Sequence, residues 1–477
     1  MRFDDYVWDT EFEIKANFAD SPENINSKDS ISGILHYTSL EIIIELFGEF
    51  PNDSENLFDF GKHLDKIYGF TSDGNILILN TYGAPQKHSS FPGFPIVRYR
   101  VKNFKLYSVF YTELGGSNDT PEDWRELIDF LEKENVEVFK FSFDHIKKWI
   151  RKSLVNIKYG ENQTSFESAV NEYQSTKALI KSLGINFEDA AILHSSFATT
   201  SFITDYFIKF TSADLNKIKF DDFYCAASKL IEFIEILSNM PISFTNIEFL
   251  IDYKLIEEKQ LPIIKGKFFV QHDRKFRKWD IDSKQNISLS NLGDEFESIL
   301  NNWFDKTEKL EFIVKQFSKN LHGDLYLEDQ LVDAIRNLEV YSRGFQDFTI
   351  PQNLSGSEKQ SQEAIFRFID NSICEIDRKK FRKKLIFKSR NPNLHERLER
   401  LFDSVDENIK NKIFSKTPDI ELFIRTLVQT RNYLTHGDSK GKYPHMITNM
   451  NEMYETKVLL QEVLRYFIYK ELGMEYQ

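Results

Sequence analysis

The sequence has 477 residues, too many for one ordinary hydrophobic core, so we expect two or three domains. Its hydrophobic residues, 41% of the total, and its 44 phenylalanines supply ample apolar material for those cores. A formal net charge of −13 argues against indiscriminate binding to nucleic acid, because phosphate contacts dominate that kind of affinity. Any RNA contact must therefore be local.

Cysteine usage and the N-terminus are typical of a protein from a reducing compartment. Cys225 and Cys374 lie far apart and neither has a CxxC partner, which argues against a disulfide framework and against a zinc site. The residues from Met1 to Asp5 do not have the pattern of a signal peptide, and no run of about 20 apolar residues would form a membrane helix. We expect a cytoplasmic protein that uses no metal and no cofactor.

Residues 1–152 are predicted to be β-rich. The run 66–71 leads through a Ser-Asp-Gly-Asn turn at 72–75 into the apolar run 76–79, which is the pattern of a β-hairpin. The other predicted strands are apolar or alternating runs at residues 31–37, 40–47, 97–101, 105–111 and 136–143.

Residues 153–290 are predicted to be mixed, with a helix over 213–240. The strand-like patterns of this region cover residues 154–159, parts of 165–210, 247–252 and 262–270.

From about Ser290 onward the pattern is almost wholly helical, with the polar stretch 282–290 as the border and 349–358 as a long loop. The predicted fold class is therefore α+β. It consists of a β-rich N-terminal domain, a mixed middle region, and an all-α bundle over 291–477.

The stretch R-N-Y-L-T-H-G at residues 431–437 places a permanent cation, an amide and an imidazole at the end of a predicted helix. That helix is predicted to start at Thr417-Pro418, a good N-cap followed by a first-turn proline. Its apolar residues at 420, 423, 424, 427 and 434 have helical spacing, and Arg431 falls on the same apolar face. An arginine on such a face usually has a structural or functional role, because arginine is rarely buried without a partner.

The spacing of the two charged groups depends on how the helix ends. His436 follows Arg431 by a rotation of roughly 500° on an ideal helix, so a straight helix would not aim both at one spot. Glycine commonly follows the last residue of a helix, so we expect the helix to end at Gly437 and the imidazole to fold back toward the guanidinium. Such a pair suits RNA cleavage without a metal. Histidine serves as general base or acid at the 2′-hydroxyl or the leaving oxygen, and arginine holds the phosphate.

A second copy of this spacing runs from Arg390 to His395. It crosses Pro392 and precedes a helix predicted to start near Leu394, so we interpret it as chance. The alternative for residues 431–437 is a buried arginine paired with a carboxylate, beside an ordinary surface histidine.

One strongly basic cluster, the basic stretch, is predicted to contact RNA because it lies in the same C-terminal region as the motif. The alternative is a solvated helix face. A smaller cluster at 274–279 is a weaker candidate. The basic stretch comprises Arg378, Lys379, Lys380, Arg382, Lys383 and Lys384, followed by Lys388 and Arg390 and interleaved with Phe381 and Phe387.

The R-x4-H spacing, with asparagine after the arginine, resembles the motif of HEPN ribonucleases. As in that family, it ends a long amphipathic helix and is followed by a last helix with an apolar inner face. An early HEPN helix commonly bears a glutamate that faces the motif, and the resemblance assigns that place to Glu339, which borders the apolar face of a predicted helix over 331–345. The implied catalytic residues are Arg431, Asn432, His436 and Glu339. Glu339 would orient the arginine or tune the histidine, or it is simply a glutamate at the edge of a solvated face.

The front of the chain is similar to the N-terminal domain of ApeA-type proteins. The shared features are a glycine-containing first strand, an acidic second strand, an Ile-x-Gly hairpin and a closing strand that ends near Trp149. This resemblance implies a bacterial abortive-infection protein. Its HEPN domain would be an RNA-cleaving toxin, and its front part would sense a phage-derived trigger or restrain the toxin.

The resemblance also implies a homodimer or higher homo-oligomer that gathers two Arg/His pairs around one phosphate. Attack by the 2′-hydroxyl would leave a cyclic phosphate and a 5′-hydroxyl end, with transfer RNA and messenger RNA both open as substrates. One alternative is a non-catalytic HEPN-like module that binds RNA or a partner. Another is a nucleotide-transferring relative or its antitoxin, but the sequence has no paired-carboxylate constellation for that chemistry.

Overall fold

The computed structural model describes residues 3–476 except 26, 52–60, 89–92, 109–123, 134, 160–165, 171, 197–200, 215–217, 252–263, 272–286, 324, 347–354, 386–390, 416 and 418. The chain forms two compact units, Met1–Thr307 and Glu308–Tyr476. The predicted α+β class is confirmed: the first unit is β-rich and the second is helical. The predicted cluster at 274–279 lies outside the described residues.

The strands of the described chain all belong to the first unit. They are β1 (Phe12–Ala19), β2 (Ile31–Tyr37), β3 (Ile42–Leu46), β4 (Leu64–Thr71), β5 (Ile76–Gly83), β6 (Gln86–His88), β7 (Ile96–Ser108), β8 (Val138–Phe143), β9 (Val155–Tyr159), β10 (Phe166–Val170), β11 (Lys177–Ile180), β12 (Ile185–Ser196), β13 (Ser201–Ser212), β14 (Phe244–Ile251) and β15 (Ile264–Val270).

The helices follow two patterns, short or isolated in the first unit and consecutive toward the C-terminus. They are α1 (Trp124–Lys133), α2 (Ile146–Ile150), α3 (Phe220–Ser238), α4 (Leu289–Leu292), α5 (Phe296–His322), α6 (Leu327–Phe345), α7 (Gly356–Ser372), α8 (Glu375–Leu385), α9 (Leu394–Asp403), α10 (Glu407–Ile413), α11 (Ile420–His436) and α12 (Met450–Leu472). No described helix is long and apolar enough to cross a membrane.

Six strands close on themselves in the order β7, β3, β2, β1, β4 and β5, because β5 also pairs with β7. The predicted hairpin at 72–75 is confirmed as the link between β4 and β5. The two strands predicted over 97–101 and 105–111 are one strand as far as Ser108, where the described part of that run ends. The apolar alternation is interrupted where β7 changes its neighbour. Residues 97–100 of β7 pair with β3, and residues 103–108 pair with β15. The exposed Lys102 lies between these two pairings.

The same sheet continues from β7 through β15, β14, β8, β13 and β12 to β11, so it crosses the predicted border at residue 152. Helix α3 covers this part of the sheet, with Phe223 stacked on Phe139 at 5.8 Å. The predicted start of this helix, residue 213, is wrong. The chain up to Ser212 is held in β13, which pairs with β12, and the helix begins only at Phe220.

In the second unit, α6 packs against α12, α11 and α9. The predicted apolar face of α6 is confirmed, since Leu331, Ile335, Leu338 and Tyr341 are buried. Tyr341 stacks on Phe467 of α12 with ring centroids 5.0 Å apart.

The loop predicted over 349–358 is partly wrong. Residues 347–354 lie outside the described chain, but α7 already begins at Gly356. The reason is a capping box: Ser355 accepts a hydrogen bond from the backbone N–H of Glu358, whose carboxylate in turn accepts from the N–H of Ser355 at 2.7 Å.

Candidate active site

Helix α11 begins one turn before its buried face. The predicted cap at Thr417 is wrong, because the N-cap is Asp419, whose carboxylate accepts a hydrogen bond from the N–H of Leu422 at 2.9 Å. Ile424, Leu427 and Thr430 then form the buried face of the helix.

The predicted end of α11 is confirmed. Gly437 has φ 64° and ψ 22°, and its N–H donates to the carbonyl of Tyr433 at 2.9 Å. This left-handed conformation suits glycine and stops the helix. His436 is consequently the last helical residue, and its side chain is exposed to solvent.

Arg431 and Asn432 are both half-buried, and Nη1 of the guanidinium donates to Oδ1 of the amide at 3.2 Å. Asn432 precedes His436 by four residues, so these two side chains lie on one face of the helix. No described carboxylate forms an ion pair with Arg431, in contrast to the alternative of an arginine neutralised in the core. Among the described residues, no hydrogen bond joins the imidazole of His436 to the guanidinium or to the amide, so the expected approach of His436 to Arg431 stays a prediction.

Glu339 has a different neighbour from the one that the resemblance implies. It is largely buried, with 12% of its side chain exposed, and it forms an ion pair with Arg343 one turn later on α6. Burial lowers the pKa of Arg397 on α9, and the charge of Arg343 adds to this while Glu339 opposes it. Glu339 therefore lies near two arginines, Arg343 and Arg397. Within the described chain no ion pair links it to His436, and its catalytic role stays a prediction without a supporting contact.

The first part of the basic stretch lies on α8, where Arg378 and Arg382 both have partners. Nε of Arg378 donates to the carbonyl of Ile373 at 2.7 Å, and Arg382 forms an ion pair with Asp370 of α7.

The lysines of the basic stretch differ in what the structure shows. Lys379 and Lys380 are exposed. Lys383 and Lys384 are part of α8, but the structure does not describe their side chains. Residues 387, 388 and 390 lie outside the described residues. RNA binding by this stretch stays a prediction.

The second copy of the motif lies in a different context. Arg390 is outside the described residues, whereas His395 lies in the first turn of α9 after the N-cap Asn393. The predicted helix start near Leu394 is confirmed. His395 is half-buried, and its Nε2 lies 3.8 Å from a carboxylate oxygen of Glu421 on α11.

Sequence reasoning missed three polar residues that follow the motif directly. The carboxylate of Asp438 accepts a hydrogen bond from the hydroxyl of Tyr443 at 2.9 Å and pairs with Nζ of Lys442 at 3.1 Å. These two partners hold the pKa of Asp438 below its usual value, and the charge of His436 contributes in the same direction. The nearness of Asp438 to the motif in sequence was the available signal.

The segment that carries these residues, 438–447, returns along α11. The N–H of His445 donates to Oε1 of Gln429 at 2.8 Å, and the N–H of Ile447 donates to the buried hydroxyl of Thr430 at 2.9 Å. Two polar side chains of α11 thereby fix the returning segment beside the last turns of the helix.

Within the described ranges, no three histidine, cysteine, aspartate or glutamate side chains come together as a metal site would require.

The helical unit with this motif at the end of α11, preceded by a closed β-sheet, defines a HEPN-type protein with a β-rich front domain. The family model Apea-like HEPN matches residues 332–477, and the model ApeA N-terminal domain 1 matches residues 17–303. The chain belongs to the ApeA-like family with a C-terminal HEPN domain. No curated protein matches it.

Membership of this family makes the protein an antiphage defence effector, and HEPN domains are a class with ribonuclease activity. The predicted borders at residues 152 and 290 stay predictions.

Proposed function

We propose that this protein is an abortive-infection endoribonuclease that cleaves RNA at Arg431, Asn432 and His436 once infection triggers it. The observation that carries the proposal is the end of α11. There, an exposed imidazole and an arginine without a described carboxylate partner share the last turns of one helix.

Each residue has a role that follows from its contacts. Arg431 uses one N–H for Asn432, which fixes the direction of the guanidinium and leaves further donors for phosphate oxygens. His436 is exposed and can reach a substrate hydroxyl.

The reaction is a transfer within the substrate. The 2′-oxygen bonds to the adjacent phosphorus while its proton passes to a neutral imidazole. The bond from phosphorus to the 5′-oxygen breaks, and that oxygen takes a proton from an imidazolium. The products are a 2′,3′-cyclic phosphate and a 5′-hydroxyl end.

One histidine cannot be neutral and protonated at once, so we assign the second proton transfer to His436 of a second copy of the chain. Exposed Met450 and Tyr454 at the start of α12 are candidates for the surface between the copies. Exposed Lys379 and Lys380 of the basic stretch would add phosphate contacts.

The proposed setting is the bacterial cytoplasm, with a transfer RNA or a messenger RNA as substrate. We infer that residues 1–290 recognise a phage-derived trigger and restrain the HEPN domain until then, since an unrestrained ribonuclease would poison its host.

Phage plating and RNA integrity test this proposal. Cells that express the wild type should resist infection and accumulate RNA fragments, whereas cells with Arg431→Ala or His436→Ala should do neither. His395→Ala is the matched control and should behave as wild type. Protection that survives His436→Ala in a folded protein would favour a non-catalytic binding module instead.

A further inference from the structure

Strand β11 lies at one edge of the large sheet and pairs with β12 alone among the described strands. Backbone groups alternate in direction along an antiparallel strand. The N–H of Asp189 in β12 donates to the carbonyl of Thr176 at 3.2 Å, so the even-numbered residues from 176 onward face β12. Lys177, Leu179 and Lys181 therefore turn their backbone N–H and C=O groups outward, away from the sheet.

Helix α5 supplies side-chain partners to two of these three residues. Asn301 accepts a hydrogen bond from the N–H of Lys181 and donates one to the carbonyl of Leu179, both at 2.8 Å. Glu297 accepts from the N–H of Leu179 at 3.3 Å. The backbone of Lys177 has no hydrogen-bond partner among the described residues. The helix thus takes the place of a neighbouring strand at one end of this edge and leaves the other end open.

The open end of the edge borders a cleft of about 700 Å³. The cleft is lined by residues 152–153, by residues 172–177 and by parts of 289–297, all within the first unit. Nζ of Lys152 donates to the carbonyl of Gln174 and pairs with the buried carboxylate of Asp189, each at 2.9 Å. These contacts fix the wall that leads into β11. An unpaired strand edge beside such a cleft suits an extended polypeptide.

The charges of the cleft indicate which side chains its ligand carries. The two lysines that line it, Lys152 and Lys177, are each paired with a carboxylate of β12. Glu172 and Asp294 are exposed, line the cleft and have no ion-pair partner among the described residues. The cleft therefore has an excess of negative charge, which favours lysine and arginine in the ligand.

We propose that the edge of β11 at Lys177 binds an extended, basic polypeptide segment. The segment adds a strand to the sheet through main-chain hydrogen bonds and places lysine or arginine side chains near Glu172 and Asp294. Backbone groups supply affinity in this mode of recognition, and the side chains supply specificity. We assign the segment to the phage-derived trigger. This assignment, unlike the binding itself, rests on the proposed function.

The test starts from a library of random heptapeptides selected on the full-length protein. Lysine or arginine should alternate with β-branched residues in the selected peptides, and a fluorescent copy of the strongest binder is the probe. Methylation of every second backbone nitrogen of the probe should abolish binding, and methylation of the nitrogens between them should not, because one side of an added strand faces the sheet. Selected peptides without basic residues, or methylation effects without this alternation, would overturn the inference.

Variants of the protein locate the site. Lys177→Pro removes the outward N–H at the first residue of β11, where proline fits an edge strand, and should weaken probe binding by about 5-fold, the effect of one hydrogen bond. Lys177→Ala keeps the N–H and is the matched control. Glu172→Lys with Asp294→Lys should weaken binding by about 10-fold. Glu11→Lys with Glu137→Lys reverses two exposed carboxylates outside the cleft and should leave binding unchanged. Wild-type binding by the folded proline and cleft variants would overturn the inference.

Phage plating tests the assignment to the trigger. Cells with Glu172→Lys and Asp294→Lys should lose protection, whereas cells with Glu11→Lys and Glu137→Lys should keep it. Protection by a folded variant that no longer binds the probe would show that the trigger binds elsewhere. If the wild type gives no protection, the proposed function fails, and the peptide measurements alone decide whether the edge of β11 is a binding site.

Discussion

Arg431 donates a hydrogen bond to the side chain of its neighbour Asn432, 3.2 Å away, and Asn432 lies one turn before His436 on the same face of α11. We expect the amide to link the two charged groups of the motif in the active site. It would then compensate for a five-residue spacing that a straight helix does not bring to one spot.

Replacement of Asn432 tests this link. Asn432→Ala should lower RNA cleavage by about 5-fold, because one hydrogen bond contributes about 1 kcal/mol and a tenfold change in rate corresponds to about 1.4 kcal/mol. Asn432→Asp keeps an acceptor for the guanidinium and should retain more activity than alanine. Equal activity of Asn432→Ala and wild type, measured as RNA fragments per cell after infection, would show that the amide has no such role.

Gly437 should be hard to replace. Gly437→Ala would place a side chain at φ 64° and lower the free energy of unfolding by about 1 kcal/mol, although no atom lies within 4 Å of the new Cβ. Gly441→Ala is the matched control, since Gly441 also has open space around it but does not have a positive φ. Thermal unfolding measures the difference, and equal melting temperatures would contradict it.

Thr430 should matter for stability and for the site together. Thr430→Val removes the acceptor of the buried Ile447 N–H, which costs about 1–3 kcal/mol when the donor stays unsatisfied. Thr435→Val on the exposed side of α11 serves as the control. We expect lower thermal stability and reduced RNA cleavage from Thr430→Val alone. A variant as stable as wild type would mean that segment 438–447 is held by other contacts.

Several features of this fold were predictable because their causes are local in sequence. The turn at 72–75, the buried face of α6 and the stop at Gly437 each depend on residues within one hairpin or one helix. The partner of Glu339 is equally local, since Arg343 lies one turn later on α6, but the resemblance pointed to the motif instead.

Other features were not predicted from the sequence, because their causes lie far away in the chain or have no recognisable sequence pattern. The segment 438–447 returns along α11 because Thr430 accepts a hydrogen bond from the N–H of Ile447, 17 residues later in the chain. Helix α1 was missed as well, although Leu127, Ile128 and Leu131 are buried. The single strand β7 was divided in two because it changes neighbours where the apolar alternation shifts.

Cleavage should not need a divalent metal ion, since histidine can transfer both protons of the proposed reaction. RNA cleavage in lysates of infected cells should persist in EDTA. Complete loss in EDTA, restored by magnesium and accompanied by 5′-phosphate ends, would indicate two-metal hydrolysis instead.

The front of the chain should restrain the helical domain. A fragment of residues 290–477 should be more toxic than the full chain, and its toxicity should vanish with His436→Ala. Circular dichroism and size-exclusion chromatography must first show that the fragment is folded, because the cut can expose apolar surface and cause aggregation. A soluble, folded and harmless fragment would mean that residues 1–290 help to build the active site or bind the RNA.

The most direct measurement is a map of 5′-hydroxyl RNA ends in infected cells that express the wild type, His436→Ala or His395→Ala. If Arg431, Asn432 and His436 cleave RNA as proposed, new 5′-hydroxyl ends, matched by 2′,3′-cyclic phosphates upstream, will appear with the wild type and with His395→Ala and will be absent with His436→Ala. The same new ends in cells with folded His436→Ala would contradict the account.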